Sequence, residues 1–265
     1  MKKQSLWSKI SDFRFLLLGL FLVIALWEII SFSTKALFLP EFFKTLGSTF
    51  LLFGSAHAMS SLLFSLLRLL LSFLISAVLG VTLGVLAGYY ENLEKILSPL
   101  ITILRAIPTI AVIFLLEVYV PHFSLYVVML VLFPVLYQAA LEGSKEVRSK
   151  YEYEFLLRGR KKISNITKVV LPLSLDYILL GFLQALGLGM KVEIMSETFS
   201  YKADFRGIGK DIFLSFQEVD YETMMSYVLL SLLLSFLLDG LLLLLRNQIE
   251  KKFSISKARK NRWSL

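Results

Sequence analysis

Glu193 and Glu197 lie four residues apart, share one helix face and follow Lys191 at the end of a long apolar stretch. An ionisable side chain inside hydrocarbon costs on the order of several kcal/mol unless it is paired or hydrated. The cluster is therefore either solvated at an interface or lining the mouth of a solute path, with Gly207-Ile208-Gly209 as a flexible turn beyond it. Arg68 and Arg105 fall towards the ends of apolar stretches, where snorkelling of the long side chain to water is the simplest account. Covalent chemistry has little to stand on. His57 and His122 are the only histidines, without a His-Glu-x-x-His pattern, and there is no glycine-lysine loop for nucleotide phosphates. The absence of cysteine removes disulfides, thiolate metal sites and cysteine nucleophiles. No metal and no cofactor are expected in this chain, and it is not expected to be an enzyme.

A second constellation runs from Gly159 through Arg160, Lys161 and Lys162 to Leu171-Pro172. Before it, Lys150–Arg158 is helix-forming, with Tyr153, Leu156 and Leu157 giving a partly apolar face. Gly159 suits the left-handed position that ends a helix. Ser164 or Asn165 can cap the next turn, and Pro172 fits the first turn of a following helix. Helix, sharp turn and helix make a knob. Such a knob is either a contact for a cytoplasmic partner or a basic loop held against anionic lipid headgroups.

The elements that must position these residues are membrane spans. The chain has 265 residues, is 57% hydrophobic and only 18% charged, with a mean hydropathy of +0.73. An ordinary soluble domain is about one quarter charged. Six spans are expected, at residues 15–32, 69–88, 96–120, 123–141, 171–190 and 227–245. Trp27 sits where aromatic anchors sit. Met1-Lys2-Lys3 and the apolar run after it resemble a secretory signal, but no small-residue cleavage site follows, so the run reads as an uncleaved first span. With the N-terminus inside, twenty basic residues fall in inner segments and five in outer ones, placing both termini in the cytoplasm. The net charge of +8 follows that inside bias and does not point to nucleic acid. A single permease-sized domain over 1–265 is expected, with its core at 58–246 and a cytoplasmic loop at 142–171.

Gly80, Gly84 and Gly88 form one stripe at four-residue spacing, which lets a neighbouring helix approach closely. Pro108 removes an amide donor and breaks its span, in either a packing or a pathway role.

In this order the chain resembles the permease subunits of binding-protein-dependent ABC importers, from about Phe38 to the end of the sixth span. The residues that carry the likeness are Ser65-Leu66-Leu67-Arg68, Gly80, Gly84, Gly88, Pro99, Leu104-Arg105-Ala106-Ile107-Pro108-Thr109, Phe133-Pro134, Gly159 with Leu171-Pro172, Gly181, Glu197 and Gly207-Ile208-Gly209. The branch handling nitrate, sulfonates, taurine and thiamine-precursor pyrimidines is the nearest in pattern. The resemblance implies an all-α polytopic membrane protein with the type I ABC importer permease (MetI-like) architecture. It implies a separate ATPase in two copies, an extracytoplasmic solute-binding protein, and a permease homodimer or pseudo-symmetric pair in lipid. It assigns Glu152, Glu154, Phe155, Leu156, Leu157, Gly159, Leu171 and Pro172 to ATPase coupling. Gly80, Gly84, Gly88, Arg105, Pro108, Glu193, Glu197, Gly207 and Gly209 fall to pathway or packing. The family's Ala-Ala pair is Glu154-Phe155 here, and Asp176 replaces a common second proline. An ATP-independent secondary transporter or a membrane scaffold is the alternative.

Overall fold

Every element described is helical. The computed structural model describes residues 6–35, 38–158, 163–202 and 204–261. Gly159, Arg160, Lys161 and Lys162, assigned above to the turn of the knob, lie outside the described residues. In chain order the helices are α1 (Leu6–Ser33), α2 (Phe42–Leu52), α3 (Ala56–Tyr89), α4 (Glu91–Ala106), α5 (Thr109–Tyr119) and α6 (Phe123–Lys150). Then come α7 (Glu152–Arg158), α8 (Ile163–Asn165), a π-helical turn (Ile166–Val170), α9 (Leu171–Leu173), α10 (Leu175–Thr198), α11 (Ile208–Gln217) and α12 (Tyr221–Asn261).

Four helices are long and apolar enough to cross a membrane, α3, α6, α10 and α12. The count rises to five if α4 and α5 together make one span. The break expected at Pro108 within 96–120 is present, and there α4 and α5 meet at 88°. The cause is local. A residue before proline is pushed out of the α region, and Ile107 and Pro108 are both extended, with ψ of 127° and 120°. The intervals 34–57 and 199–222, expected as connections, hold α2 and α11.

The chain divides into two compact units, Met1–Met59 with Asp211–Leu230 and Ser60–Lys210 with Ser231–Leu265. In the first, α2 lies against the start of α12 through small hydroxyl residues, all fully buried: Thr45, Thr49 and Ser226. Thr49 Oγ1 donates to the Ser226 carbonyl and Ser226 Oγ to the Thr45 carbonyl, both at 3.3 Å. Small side chains let the backbones approach while each hydroxyl finds an acceptor. Lys44 pairs with Glu222 at 2.6 Å, which raises the lysine's pKa. Hydrogen bonds from Thr223 hold the Asp220 carboxyl below the usual range.

The Trp27 indole is not simply an interfacial anchor. It donates to the Pro40 carbonyl at 2.8 Å and meets the Phe42 ring edge-on, while Glu28 accepts the Phe42 amide at 3.0 Å. Two side chains of α1 thus fix the entry into α2. Trp27→Phe is expected to keep the ring and lose the hydrogen bond, destabilising the protein by about 1 kcal/mol. A denaturation midpoint unchanged in detergent would remove this role.

In the second unit, α3 carries small residues every fourth position from Ser72 to Gly88, and all of them face α6. Ser72 Oγ donates to the Leu125 carbonyl at 2.8 Å and Ser76 Oγ to the Met129 carbonyl at 3.0 Å. Further along, Gly80, Gly84 and Gly88 lie directly on the α6 backbone. A Cβ on Gly84 would stand 2.4 Å from the Tyr137 carbonyl oxygen, and one on Gly88 would stand 2.6 Å from that of Leu141. Helix α10 covers another side of α6, where a Cβ on Gly181 would reach within 2.4 Å of the Ala139 Cβ.

Candidate functional site

Three features of the second unit bear on function: a buried charge cluster, the short helices after α6, and the corner between α4 and α5. The first is built from α3, α10 and the approach to α11. Glu193 and Glu197 point from one face of α10 and are fully buried. Arg68 comes from α3 to meet both. Its Nε donates to Glu193 Oε1 at 2.8 Å, and one terminal nitrogen donates to Glu197 Oε1 and, at 2.8 Å, to the Arg206 carbonyl. The guanidinium also lies 4.6 Å from the centroid of the Phe205 ring, a cation–π geometry. Ser65 Oγ donates to Glu197 Oε1 at 2.7 Å and accepts the Ile208 amide at 3.0 Å.

This overturns two expectations. Arg68 does not snorkel; its side chain is 12% exposed and ion-paired. A guanidinium fork can satisfy two carboxylates at once, which an exposed position would waste. Gly207-Ile208-Gly209 is not a loose turn either. The Gly209 amide donates to Glu197 Oε2 at 2.8 Å, and a Cβ there would fall 2.2 Å from the Ile194 carbonyl oxygen. At Gly207 a Cβ would meet the Glu197 carboxyl at 2.5 Å. Both glycines exist so that backbone can close over a buried carboxylate. Lys191, expected within the same cluster, is exposed.

The second feature is the sequence of short helices after α6. Phe155 of α7 is buried, 5.6 Å edge-on from Tyr89, in a cluster with Val147, Ile166 and Val170. Leu171 packs against that cluster, and Pro172 occupies the first turn of α9. Glu152, Tyr153, Glu154, Leu156 and Leu157 are exposed, as is Ile163 of α8. Asn165 does not cap the turn that follows it; its amide is buried and donates to the Tyr89 hydroxyl at 3.3 Å. Phe155, assigned with its neighbours to ATPase coupling, faces in, while Leu156 and Leu157 face out. In a seven-residue helix the apolar pattern alone does not choose between Phe155 and Leu156.

The third feature is the corner itself. Arg105 stands in the last turn of α4, and Pro108 opens α5. Arg105 is exposed at this corner. Cavities of about 560 and 310 Å³ adjoin this residue on the α6 side. Ser65 was legible as part of Ser65-Leu66-Leu67-Arg68, but its bonds to Glu197 and the Ile208 amide were not.

Long apolar helices packed through glycine and serine, with the buried carboxylates of the described residues ion-paired or hydrogen-bonded, define a multi-pass membrane protein. Residues 80–251, more than half of the chain, match the family described as the binding-protein-dependent transport system inner membrane component, and the chain belongs to that family. No curated protein matches it. The chain is thus a permease component of an ABC transporter in the inner membrane and is not itself the catalytic subunit. The family implies association with an ABC ATPase and a solute-binding protein.

Proposed function

We propose that this chain is the translocation subunit of an importer for a small solute of the nitrate, sulfonate or thiamine-precursor type, moved by ATP hydrolysed in a separate subunit. In this reading α1 is the further span that brings the total to six, both termini are cytoplasmic, and residues 1–265 act as one permease domain. Two permease copies pair, and each receives one of two ATPase copies on its loop at 142–171. Gly80, Gly84, Gly88 and Pro108 shape the packing of the moving helices. Glu193, Glu197, Gly207 and Gly209 hold the end of α10.

The observation that carries the reading is the two-sidedness of α7. Leu156 and Leu157 are 54% and 72% exposed, while Phe155 between them and the core is 3% exposed. Leucines that stand free of their own fold, on an otherwise polar segment, suit insertion into a partner's cleft. Phe155 then works as the root of the knob, passing any displacement to Tyr89 of α3 and Val147 of α6. The replacement of the family's Ala-Ala by Glu154-Phe155 supports a firmer root and an altered partner groove.

Leu157→Asp is expected to weaken association with the ATPase by about tenfold, since one buried leucine contributes roughly 1.5–3 kcal/mol. Insertion into the membrane should be unaffected. The measurement is retention of the ATPase on the tagged permease, alongside ATP-dependent uptake in vesicles. Equal retention by the variant and the parent would put the contact elsewhere.

A further inference from the structure

Arg68 is one cation set between two fully buried carboxyl groups. Among the described residues no other cation pairs with Glu193 or Glu197. The side-on fork of a guanidinium ordinarily receives both oxygens of one carboxylate. Here it takes one oxygen from each glutamate, Glu193 Oε1 on Nε and Glu197 Oε1 on the neighbouring terminal nitrogen. With both glutamates ionised, the cluster would keep one negative charge that nothing cancels. An uncompensated buried charge is strongly destabilising.

The donors are divided unequally. Glu197 receives the Arg68 nitrogen, the Ser65 hydroxyl at 2.7 Å and, on Oε2, the Gly209 amide at 2.8 Å. Glu193 receives Arg68 Nε at 2.8 Å on Oε1, while its buried Oε2 meets no donor. The two side chains also lie within hydrogen-bond reach of each other. Ionised carboxylates only accept, so that contact is a bond only when one of them carries a proton.

The surrounding elements supply no substitute. The Ser196 hydroxyl of α10 donates to the Glu193 carbonyl. Lys202 and Lys210 donate to the carbonyls of Val120 and Ser200, and Lys191 and Arg206 have exposed side chains. Glu117 of α5 accepts the Tyr201 amide. On α6, between Phe123 and Leu132, the only ionisable side chain is that of Tyr126, and it is exposed.

We propose that Glu193 is a proton-binding site: it stands as a carboxylic acid beside an ionised Glu197, and its proton makes the cluster neutral. Release of that proton leaves two anions on one guanidinium, beneath the backbone that 207–209 closes over Glu197. The end of α10 is therefore a latch whose closure depends on pH. The inference goes beyond the transport reading and does not depend on it.

The full-length protein in nonionic detergent is compared with Glu193→Gln by infrared spectroscopy at neutral pH. The parent is expected to show the carbonyl stretch of a protonated carboxyl, and Glu193→Gln to lack it. Stability gives a second readout. The folded chain holds a proton that the unfolded chain releases, so stability falls as pH rises, by up to about tenfold in the unfolding constant per pH unit for one proton. Glu193→Gln is the neutral isostere; it should remove that share of the slope and keep a denaturation midpoint near the parent's at neutral pH. Glu197→Gln, which removes the anion facing Arg68, should be far less stable. A Glu193→Gln midpoint well below the parent's, or a variant too unstable to purify, overturns the proposal, because the group removed was then an anion. So does a parent without the band, a band that persists in Glu193→Gln, or equal pH slopes in the two. No readout involves ATP or a partner subunit, so failure of the transport reading would leave the result standing.

Discussion

Arg68→Met is expected to destabilise the protein by about 3–5 kcal/mol, the scale measured when one partner of a buried ion pair is removed. The size follows from what remains. Glu193 and Glu197 are both fully buried, and Glu193 Oε2 has no hydrogen-bond partner even with the arginine present. Without Arg68 the two carboxylates face one another with only Ser65 and the Gly209 amide in support. Arg68→Lys should recover only part of the loss, because an ammonium cannot hold two carboxylates and the Arg206 carbonyl in fixed directions. Glu193→Gln in the Arg68→Met background should restore some stability by removing one stranded charge. The check is resistance to denaturing detergent, read as a midpoint for each variant. A midpoint for Arg68→Met within error of the parent would falsify the view that this cluster holds α3 to α10.

Gly84→Val is the second large effect. The Cβ position lies 2.4 Å from the Tyr137 carbonyl oxygen and 2.8 Å from the Ala140 Cβ, and neither can swing aside as a long side chain would. Helix α6 must therefore move, which also stretches the nearby bond from Ser144 Oγ to the Val85 carbonyl, 2.8 Å long. Overpacking of this kind typically costs roughly 1–3 kcal/mol, and more where backbone is the obstacle. Gly187→Val in α10 is the control, since nothing lies within 4 Å of its Cβ position. Thermal inactivation of the two variants should differ clearly. Similar behaviour would mean that α3 and α6 tolerate separation.

The parts of this structure that were legible in the sequence are those written within one helix. The spacing of Gly80, Gly84 and Gly88 states that something approaches closely there; it does not state that the surface is α6. Pro108 announces a break, but the 88° angle depends on where α5 then packs. The charge cluster was hidden by distance along the chain. Arg68 and Glu193 are separated by 125 residues, and a local reading treats each as a lone charge at a span end. The burial of Phe155 was not legible because one or two helical turns carry too little periodicity to fix a face.

The glycine-capped carboxylate has an implication for engineering. The stretch between α10 and α11 looks like the natural place to splice in an epitope or a fluorescent tag. Yet Gly207 at its end and Gly209 in the first turn of α11 are closed on Glu197, so any insert there would prise the seal open. Asp204, exposed and without such bonds, is where a graft should be accepted.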